Sequence, residues 1–498
     1  MKKKEAMKLN IKNTKEMQFN GLLRDKSFVN GAWMSSENKS TFEVTNPFDN
    51  SIIANVASLG SLETKNAINC ANEAFKTWSK TTAEERSRLL KKLYQLQMDH
   101  VEDLAQILTL EQGKPLNESR GEIKYGASFI EWFAEEAKRT YGDTIPSHGV
   151  DKRIITIKQP VGVVAAITPW NFPNAMITRK IAPALAAGCT VVIKPAHQTP
   201  LSALALAALV EKAGFPKGVF NVITSDTAKE IGNELTSNPL VRKLSFTGST
   251  KVGKMLMRQC ADTVKKVSME LGGNAPFIVF EDADIDNAVN GAVASKFRNA
   301  GQTCVCTNRI FVHDKVYKTF VDKFTDAVSK LKMGSGLEEE TAIGPLINND
   351  AVNFVDSLVK NAVNQGAELI IGGQKNDDME NFYPPTVLSN VNSSMEIFNN
   401  EIFGSIAPII KFKDEAEVIR MANDTPFGLA SYFYTNDYAK IWRVSEGLEY
   451  GMVGINTGMI STTVAPFGGI KESGNGREGS KYGMDDYLEI KYLCIGGI

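Results

Sequence analysis

The spacing of apolar and polar residues divides the chain into stretches with different predicted secondary structure. From about residue 61 to 140, apolar residues recur at helical spacing with charged residues between them, as in EERSRLLKKLYQLQMDHVEDLAQILTLEQG. Gly113 ends this run and Pro115 follows it, which is typical of the end of a helix. The pattern predicts an all-helical opening.

From residue 154 onward, short β-branched runs alternate with helical stretches rich in Ala and Leu. The runs VGVVAAI, TVVIKPA and VRKLSF are separated by TRKIAPALAAG, LSALALAALVEKAG and AKEIGNELTS. This rhythm predicts a doubly wound parallel sheet. A second alternation begins with PFIVF at 276–280 and runs to about 470, with no linker rich in Pro and Ser before it. The sequence therefore predicts an α/β fold of two doubly wound lobes that pack tightly together.

Two further segments alternate polar and apolar residues outside both lobes. RIITIKQ at 153–159 and YLEIKYLCIGG at 487–497 have the pattern of antiparallel strands. Exposed strand edges are a liability, so such strands are expected to pair within or between subunits. They predict a small β extension and a homo-oligomer.

The composition excludes several classes of partner and compartment. The 498 residues carry 56 basic and 57 acidic side chains, so the net charge of -1 provides no field for nucleic acid or a membrane surface. Six cysteines are too few for a disulfide scaffold, and the four histidines lack metal-ligand spacing, so we expect no metal. The basic N-terminus contains no apolar run of signal-peptide length. These features predict a cytoplasmic protein.

Two glycine patterns are candidates for phosphate binding. FTGSTKVGKM at 246–255 follows a predicted strand and opens a helix, so Gly248 and Ser249 are candidates for an anion cradle at the helix N-terminus. The spacing is close to a P-loop, but Met255 stands where the magnesium-binding hydroxyl is required, which argues against an NTPase. The segment Gly474-x-Gly476-x-x-Gly479 has no strand before it and is interpreted as a flexible loop.

Two other predicted strands end in loops that could line the same crevice. TPWNFP at 168–173 presents Trp170 and Asn171, and IKPAHQTP at 193–200 presents Lys194 and His197. Ligands of doubly wound sheets bind outside the carboxyl ends of the strands. Each loop alone is unremarkable, since Trp and Lys often only pack or face solvent. Their convergence on one edge predicts a cofactor site.

The strongest candidate nucleophile is Cys304 in FRNAGQTCVC. A free cysteine is often simply buried, but the surrounding loop is polar, as thiolate chemistry requires. In VSMELGG, Glu270 stands at the end of a predicted strand and could act as a general base, although a single Glu is usually a solvated charge.

Seven motifs together resemble the NAD(P)-dependent aldehyde dehydrogenase superfamily. In chain order they are PWNFP, KPA-x-x-TP, FTGS-x-x-x-G, MELGG, GQ-x-C, EIFG and PFGG-x-K-x-SG, and they cover roughly residues 30–498. Within the family, ITRKIAPALAAGCT, FRNAGQTCVC and ISTTVAPFGGIKESGNGREGSKYG are most similar to succinate-semialdehyde dehydrogenases.

The resemblance implies a role for individual residues. It implies that Cys304 is the nucleophile, that Glu270 is the base, and that Asn171 and the Cys304 backbone N–H stabilise an oxyanion. The residues implied to hold NADP or NAD are Trp170, Lys194, His197, Gly248, Ser249, Glu401 and Phe403. A silent structural protein of this fold would lack the cysteine or the base, and this chain has both.

The patterns and the resemblance together divide the chain into domains. We expect a cofactor-binding domain at 1–142 and 161–272 and a catalytic domain at 273–470. Segments 143–160 and 484–498 are expected to form a β-strand oligomerisation extension, which implies a dimer or a tetramer.

Two arginines predict the substrate class. The resemblance places Arg179, Arg298 and Ser461 around the substrate, and paired guanidinium groups are suited to a carboxylate. The expected substrate is a small aldehyde with a carboxylate tail, namely succinate semialdehyde, with a place in GABA degradation. Glutarate semialdehyde stays open as an alternative, because one methylene changes binding by only about 1–3 kcal/mol.

The choice between NADP and NAD is predicted from position 197. Family members restricted to NAD commonly have Glu after KPA, where its charge repels a 2′-phosphate. This chain has His197 there, so NADP is expected to be tolerated, while a preference over NAD stays open.

Cys306 follows Cys304 by two residues and suggests a redox switch. In an extended chain the Cα atoms of residues i and i+2 stand roughly 6.6 Å apart, at the long edge of disulfide geometry, so a bridge would be strained and easily reduced. The resemblance includes members regulated in this way. The alternative is that Cys306 only fills apolar space.

Overall fold

The computed structural model describes residues 19, 21–375 and 379–498. Residues 1–18, which include most of the basic N-terminus and the start of the predicted cofactor-binding domain, lie outside the described residues. Within the described part the predicted α/β fold is confirmed, with two mainly parallel sheets and a small antiparallel one.

The described residues form twenty strands. In chain order they are β1 (Ser27–Val29), β2 (Ala32–Met34), β3 (Thr41–Thr45), β4 (Ile52–Ala57), β5 (Thr144–Ile145), β6 (Lys152–Pro160), β7 (Val163–Ile167), β8 (Thr190–Lys194), β9 (Phe220–Val222), β10 (Val241–Thr247), β11 (Lys266–Glu270), β12 (Ala275–Val279), β13 (Thr307–His313), β14 (Glu368–Ile371), β15 (Thr386–Ser389), β16 (Ile406–Phe412), β17 (Ala430–Tyr434), β18 (Met452–Ile455), β19 (Gly474–Asn475) and β20 (Leu488–Gly496).

The same residues form fourteen α-helices. They are α1 (Ser61–Trp78), α2 (Ala83–Asp99), α3 (Val101–Gln112), α4 (Leu116–Glu136), α5 (Ala175–Ala187), α6 (Leu201–Ala213), α7 (Ala228–Ser237), α8 (Thr250–Ala261), α9 (Ile285–Phe297), α10 (Tyr317–Ser329), α11 (Asn349–Asn364), α12 (Glu396–Asn399), α13 (Glu415–Asn423) and α14 (Tyr438–Gly447). Among them, none is both long and apolar enough to cross a membrane.

The helical opening is confirmed by α1 to α4. Helix α3 ends where the sequence predicts, because Gly113 adopts the left-handed conformation (φ 92°) that closes a helix and its N–H donates to the Thr109 carbonyl. The sequence missed the four short strands β1 to β4 before this opening. Their runs of three to six residues are too short for a clear alternation pattern.

The first lobe is built on an eight-stranded sheet of order β19-β11-β10-β7-β8-β9-β1-β2. Strands β11, β10, β7, β8 and β9 are parallel, and antiparallel strands close both edges. The central strands β7 and β8 read as continuous apolar runs because helices cover both faces of such a sheet.

The segment Gly474–Asn475 is not the flexible loop predicted from its glycines. It is the edge strand β19, which pairs antiparallel with Met269 and Glu270 at the end of β11. Gly474 has φ 126°, and a Cβ there would lie 1.8 Å from the Met269 carbonyl oxygen. Only glycine therefore fits this close approach of two backbones.

The second lobe is a seven-stranded sheet of order β14-β15-β16-β13-β12-β17-β18, parallel except for the pair β14 and β15. The predicted antiparallel strands outside the lobes are also confirmed. Strand β20 pairs with β6 along its whole length, from Leu488 opposite Pro160 to Gly496 opposite Lys152, and β5 completes this third sheet.

Candidate active site

A cavity with a volume of about 240 Å³ lies at the carboxyl ends of β10 and β11. It brings together predicted catalytic and cofactor residues from both lobes. They are Trp170, Asn171, Gly248, Ser249, Glu270, Cys304, Glu401 and Phe403. The remaining predicted residues, Arg179, Lys194, His197, Arg298, Cys306 and Ser461, are not among those that line it.

Cys304 is presented to the cavity by a strained loop between α9 and β13. Asn299, Ala300 and Gly301 all have positive φ, between 51° and 77°, which is costly for the two residues with a Cβ. The loop is fixed by Gln302, whose side chain donates to the Asn299 carbonyl (3.0 Å) and accepts from the Ile347 N–H (2.9 Å). The polar residues before the cysteine therefore shape the loop.

Burial makes the Cys304 thiol hard to ionise. Burial and the negative charge of Glu270 raise the pKa of Cys304 to about 12, while the charges of Arg179 and Arg298 act in the opposite direction. The side chain faces the cavity, so Cys304 is not simply buried filler. A nearby proton acceptor is required for thiolate chemistry at neutral pH.

Glu270 is buried at the end of β11 and is not a solvated charge. Neither carboxyl oxygen has a hydrogen-bond partner among the described residues. Burial, and next the negative charge of Glu478, raise the pKa of Glu270 well above its ordinary value, against the effect of Arg179 and Lys180. A carboxylate with a raised pKa accepts a proton more readily than a solvated one.

Glu478 is a site residue that the sequence interpretation missed. Its carboxylate is buried between Lys180, at 2.6 Å, and the Arg179 Nε, at 2.5 Å. Burial alone would raise the pKa of Glu478, but the two cations outweigh it and hold the pKa below its ordinary value. The available signal was a Glu within a glycine-rich segment that was interpreted only as a loop.

Asn171 is held rigidly beside Cys304. Its Nδ2 donates to the Gln302 carbonyl (3.0 Å), and its own backbone carbonyl accepts from the Lys114 ammonium (2.6 Å). Lys114 is in turn paired with Glu122 at 2.6 Å. The amide nitrogen carries a second N–H, which is available to a developing oxyanion.

The residues from β10 to α8 that line the cavity have features that suit the phosphate of a cofactor. Ser249 caps the N-terminus of α8, where backbone N–H groups favour a phosphate. A Cβ on Gly248 would lie 2.5 Å from the Phe246 ring, so a larger residue at 248 would displace that ring. Glu401 accepts from the Gly273 N–H at 3.0 Å, and burial raises its pKa to about 7.

Lys194 and His197 lie together beyond this cavity, beside Asp226. The Lys194 ammonium contacts the Ser225 carbonyl at 3.5 Å, and burial lowers its pKa to about 8. Burial and the charge of Lys194 lower the pKa of His197. Asp226 acts electrostatically on both groups, so a carboxylate that the sequence interpretation did not consider stands close to position 197.

The predicted substrate residues differ in burial, and the charges of Arg179 and Arg298 act on the Cys304 thiol. Arg179 is 1% exposed, and its guanidinium lies 4.0 Å from the centre of the Phe467 ring. Arg298 is half-buried, with its guanidinium 5.4 Å from the centre of the Phe172 ring. Ser461 is half-buried in the loop after β18.

The extended geometry predicted for Cys304 and Cys306 is wrong. The two residues lie in a turn closed by the Cys306 N–H donating to the Thr303 carbonyl at 3.3 Å, before β13 begins. Both are free thiols, and the buried Cys306 thiol donates to the Gly301 carbonyl at 3.2 Å.

Comparisons with known proteins agree with this geometry. A succinate-semialdehyde dehydrogenase (NADP+) of Escherichia coli strain K12 is 59% identical over 490 residues, covering 98% of this chain and 100% of that protein. A glutarate-semialdehyde dehydrogenase of Pseudomonas aeruginosa is 60% identical over 477 residues, covering 96% of this chain and 99% of that protein.

A solved structure shows the same architecture. The crystal structure of betaine aldehyde dehydrogenase from Staphylococcus aureus in complex with NAD+ has a TM-score of 0.94 and 36% identity, and the match covers 98% of this chain and 97% of the other. The model of the aldehyde dehydrogenase family matches residues 33–493. The chain therefore belongs to the aldehyde dehydrogenase family.

Proposed function

We propose that the protein oxidises succinate semialdehyde to succinate with NADP or NAD as the hydride acceptor. The observation that carries this proposal is the cavity that Cys304 and Glu270 both line, where the charges of Arg179 and Arg298 act on the thiol. Two guanidinium groups near the reacting cysteine suit an aldehyde whose far end is anionic. The names of the two bacterial relatives support a dicarboxylate semialdehyde.

In the proposed reaction Cys304 is the covalent catalyst. Its thiolate adds to the aldehyde carbon and forms a thiohemiacetal, and the oxyanion accepts from the Asn171 amide and the Cys304 N–H. When bound, the oxidised nicotinamide cofactor supplies the acceptor for the hydride that leaves this carbon. The product on the enzyme is a thioester of Cys304.

Glu270 completes the proposed cycle. Its raised pKa lets it accept a proton from water, and the resulting hydroxide attacks the thioester to release succinate and the thiol. Glu478 holds Arg179 and Lys180 beside this carboxyl and so contributes to its pKa. The rings of Trp170 and Phe403 pack edge to face, with their centres 5.6 Å apart. The proposed cofactor residues are Trp170, Lys194, His197, Gly248, Ser249, Glu401 and Phe403.

Glutarate semialdehyde is the second candidate substrate, because a relative with this name is 60% identical. A panel of aldehydes assayed separately with NAD and NADP tests both candidates. The highest kcat/KM is expected for succinate semialdehyde, with glutarate semialdehyde next and uncharged aldehydes far behind. A higher kcat/KM for an uncharged aldehyde than for both would contradict the proposal.

We further propose that the protein works in the cytoplasm as a homodimer or homotetramer, in the degradation of GABA. The supporting observation for assembly is the exposed third sheet, on which Ile490 and Tyr492 of β20 are 71% and 57% exposed. Apolar residues on a strand edge favour pairing with a second copy.

We also propose that Cys304 and Cys306 form a reversible redox switch. A turn brings residues i and i+2 closer together than an extended chain does. The observed turn therefore favours a disulfide between Cys304 and Cys306 more than the extended backbone predicted from the sequence. The hydrogen bond from Cys306 to Gly301 accounts equally for a structural role, so the question requires a measurement.

A further inference from the structure

The hydroxyl of Tyr125 on α4 is buried and has no hydrogen-bond partner among the described residues. An unpaired buried hydroxyl loses its bonds to water without compensation, at a cost of about 1–3 kcal/mol. Native proteins retain few such groups, and each one requires an explanation. A bound ligand that accepts the hydrogen bond is one explanation.

The surroundings of this hydroxyl are those of the active site. Burial raises the pKa of Tyr125, and the charges of Arg179 and Arg298 oppose this effect, while Glu478 and Cys304 add to it. The hydroxyl is therefore within electrostatic reach of both predicted substrate arginines and the proposed nucleophile.

Packing holds the Tyr125 ring in place. The ring meets Phe129 edge to face at 5.0 Å, and Phe129 in turn lies 5.3 Å from the Arg179 guanidinium. Phe129 is fully buried, so tyrosine and arginine share one rigid aromatic support.

A second unpaired donor lies in the same region. Arg179 uses its Nε for Glu478, but its Nη2 is buried with no hydrogen-bond partner among the described residues. The nearby carboxylates do not accept from these donors: Glu118 accepts from the Asn299 N–H (2.8 Å), Glu122 accepts from Lys114 (2.6 Å), and the oxygens of Glu270 have no hydrogen-bond partner among the described residues. The unpaired donors are therefore left for an anion from outside the chain.

We propose that Tyr125 donates a hydrogen bond to the tail carboxylate of the substrate, as a third donor with Arg179 and Arg298. This inference rests on the proposed function, because it requires an aldehyde with an anionic tail. A carboxylate has two oxygens and about four acceptor sites, so it can serve two guanidinium groups and one hydroxyl at once. Tyr125 thereby selects for the carboxylate.

Tyr434 provides a matched control. Its hydroxyl is also buried without a hydrogen-bond partner among the described residues. Burial alone raises its pKa, to about 12, and no charged neighbour contributes. Tyr434→Phe therefore removes a hydroxyl that is buried and unpaired like that of Tyr125, but that has no charged group acting on it.

The test compares Tyr125→Phe, Tyr434→Phe and Arg298→Ala with succinate semialdehyde and with butanal, which has the same chain length and no carboxylate. Tyr125→Phe is expected to lower kcat/KM for succinate semialdehyde by about tenfold or more, the effect of one hydrogen bond to a charged group. The kcat/KM of Tyr125→Phe for butanal is expected to stay unchanged. For Tyr434→Phe, kcat/KM is expected to stay unchanged with both aldehydes. The ratio of the two substrates is independent of the amount of folded enzyme.

Equal effects of Tyr125→Phe on both aldehydes, or none on either, would overturn the inference. If Arg298→Ala is selective for succinate semialdehyde while Tyr125→Phe is not, only the role of Tyr125 fails. If wild type itself prefers butanal, the proposed function fails as well. Removal of an unpaired hydroxyl is expected to leave the melting temperature of the free enzyme unchanged or higher. A clear loss of folding in Tyr125→Phe would show a structural role and would also overturn the inference.

Discussion

The reactivity of Cys304 depends on where its proton goes, because burial and Glu270 together raise the pKa of the thiol to about 12. The pKa of Glu270 is itself raised well above its ordinary value. The negative charge of Glu270 is one of the causes that raise the pKa of Cys304, so ionised Glu270 disfavours the thiolate. In the proposed reaction Glu270 accepts a proton from the hydrolytic water, after the thioester has formed.

Glu270→Gln is expected to lower the steady-state rate by about 100-fold or more, which is the usual contribution of a general base. Thioester formation should continue, so a burst of reduced cofactor is expected before the slow phase. The carboxylate of wild type forms only as the pH rises through its raised pKa, so the wild-type rate should increase with pH. Stopped-flow absorbance across pH tests this, and an unchanged steady-state pH profile in Glu270→Gln would identify another base.

Cys306→Ala is expected to keep activity and lose reversible inactivation by peroxide. In the switch, hydrogen peroxide accepts two electrons from the thiols of Cys304 and Cys306, and an S–S bond forms between them. The O–O bond breaks, and the two thiol protons leave in the two molecules of water that are formed. Dithiothreitol should restore wild type and a Cys70→Ala control. Equally complete recovery of Cys306→Ala would show that no bridge between these residues is involved.

At the scale of elements, the sequence predicted most accurately those helices and strands that have a clear local pattern of apolar residues. Buried strands such as β7 and β8 are mainly apolar runs; β7 leads to the loop that carries Trp170, and β8 ends at Lys194. The two-residue strand β19 has no local signal, because only its pairing with β11 makes it a strand. The missed Glu478 follows on the same segment, so its role depended on tertiary structure that no local pattern encodes.

The segment around β19 fixes the strand that ends in Glu270. Gly474→Ala is expected to lower the free energy of unfolding by more than the roughly 1–2 kcal/mol that a positive φ costs an L-residue. The extra loss comes from the clash of the new Cβ with the Met269 carbonyl. Chemical denaturation and kcat measure the effect.

Gly214→Ala is the matched control for this prediction. Gly214 also has a positive φ, 89°, but a Cβ there meets nothing within 4 Å. Gly214→Ala should lower the free energy of unfolding only by the cost of a positive φ, and its kcat should be unchanged. Equal effects of the two substitutions would contradict the proposed support of Glu270 by β19.

At the scale of the whole molecule, the site exists only because two lobes meet. Glu270 ends a strand of the first sheet, whereas Cys304 precedes β13 of the second. The loop of Cys304 is held by strand β17 of the same second sheet, because the Tyr432 hydroxyl donates to the Val305 carbonyl (2.7 Å). The sequence predicted both lobes and most cavity residues through their motifs. It did not predict the turn at Cys306 or the partners of Arg179, which depend on packing between distant segments.

The third sheet is expected to mediate assembly of whole subunits. Ile490→Glu introduces a charge on β20, where Ile490 is 71% exposed, and should shift the protein to a smaller species in light scattering. Ile52→Glu is the control, since Ile52 is 48% exposed on β4, away from this sheet. A wild type that is monomeric at micromolar concentration would contradict the assignment of 143–160 and 484–498 to oligomerisation.

The most direct test of the central claim is mass spectrometry of Glu270→Gln quenched in acid after mixing with succinate semialdehyde and NADP or NAD. Slow hydrolysis should let the covalent product accumulate. The account predicts one succinyl group on the peptide that contains Cys304, and none when cofactor is omitted. A burst of reduced cofactor without this adduct, or with the succinyl group on another residue, would contradict it.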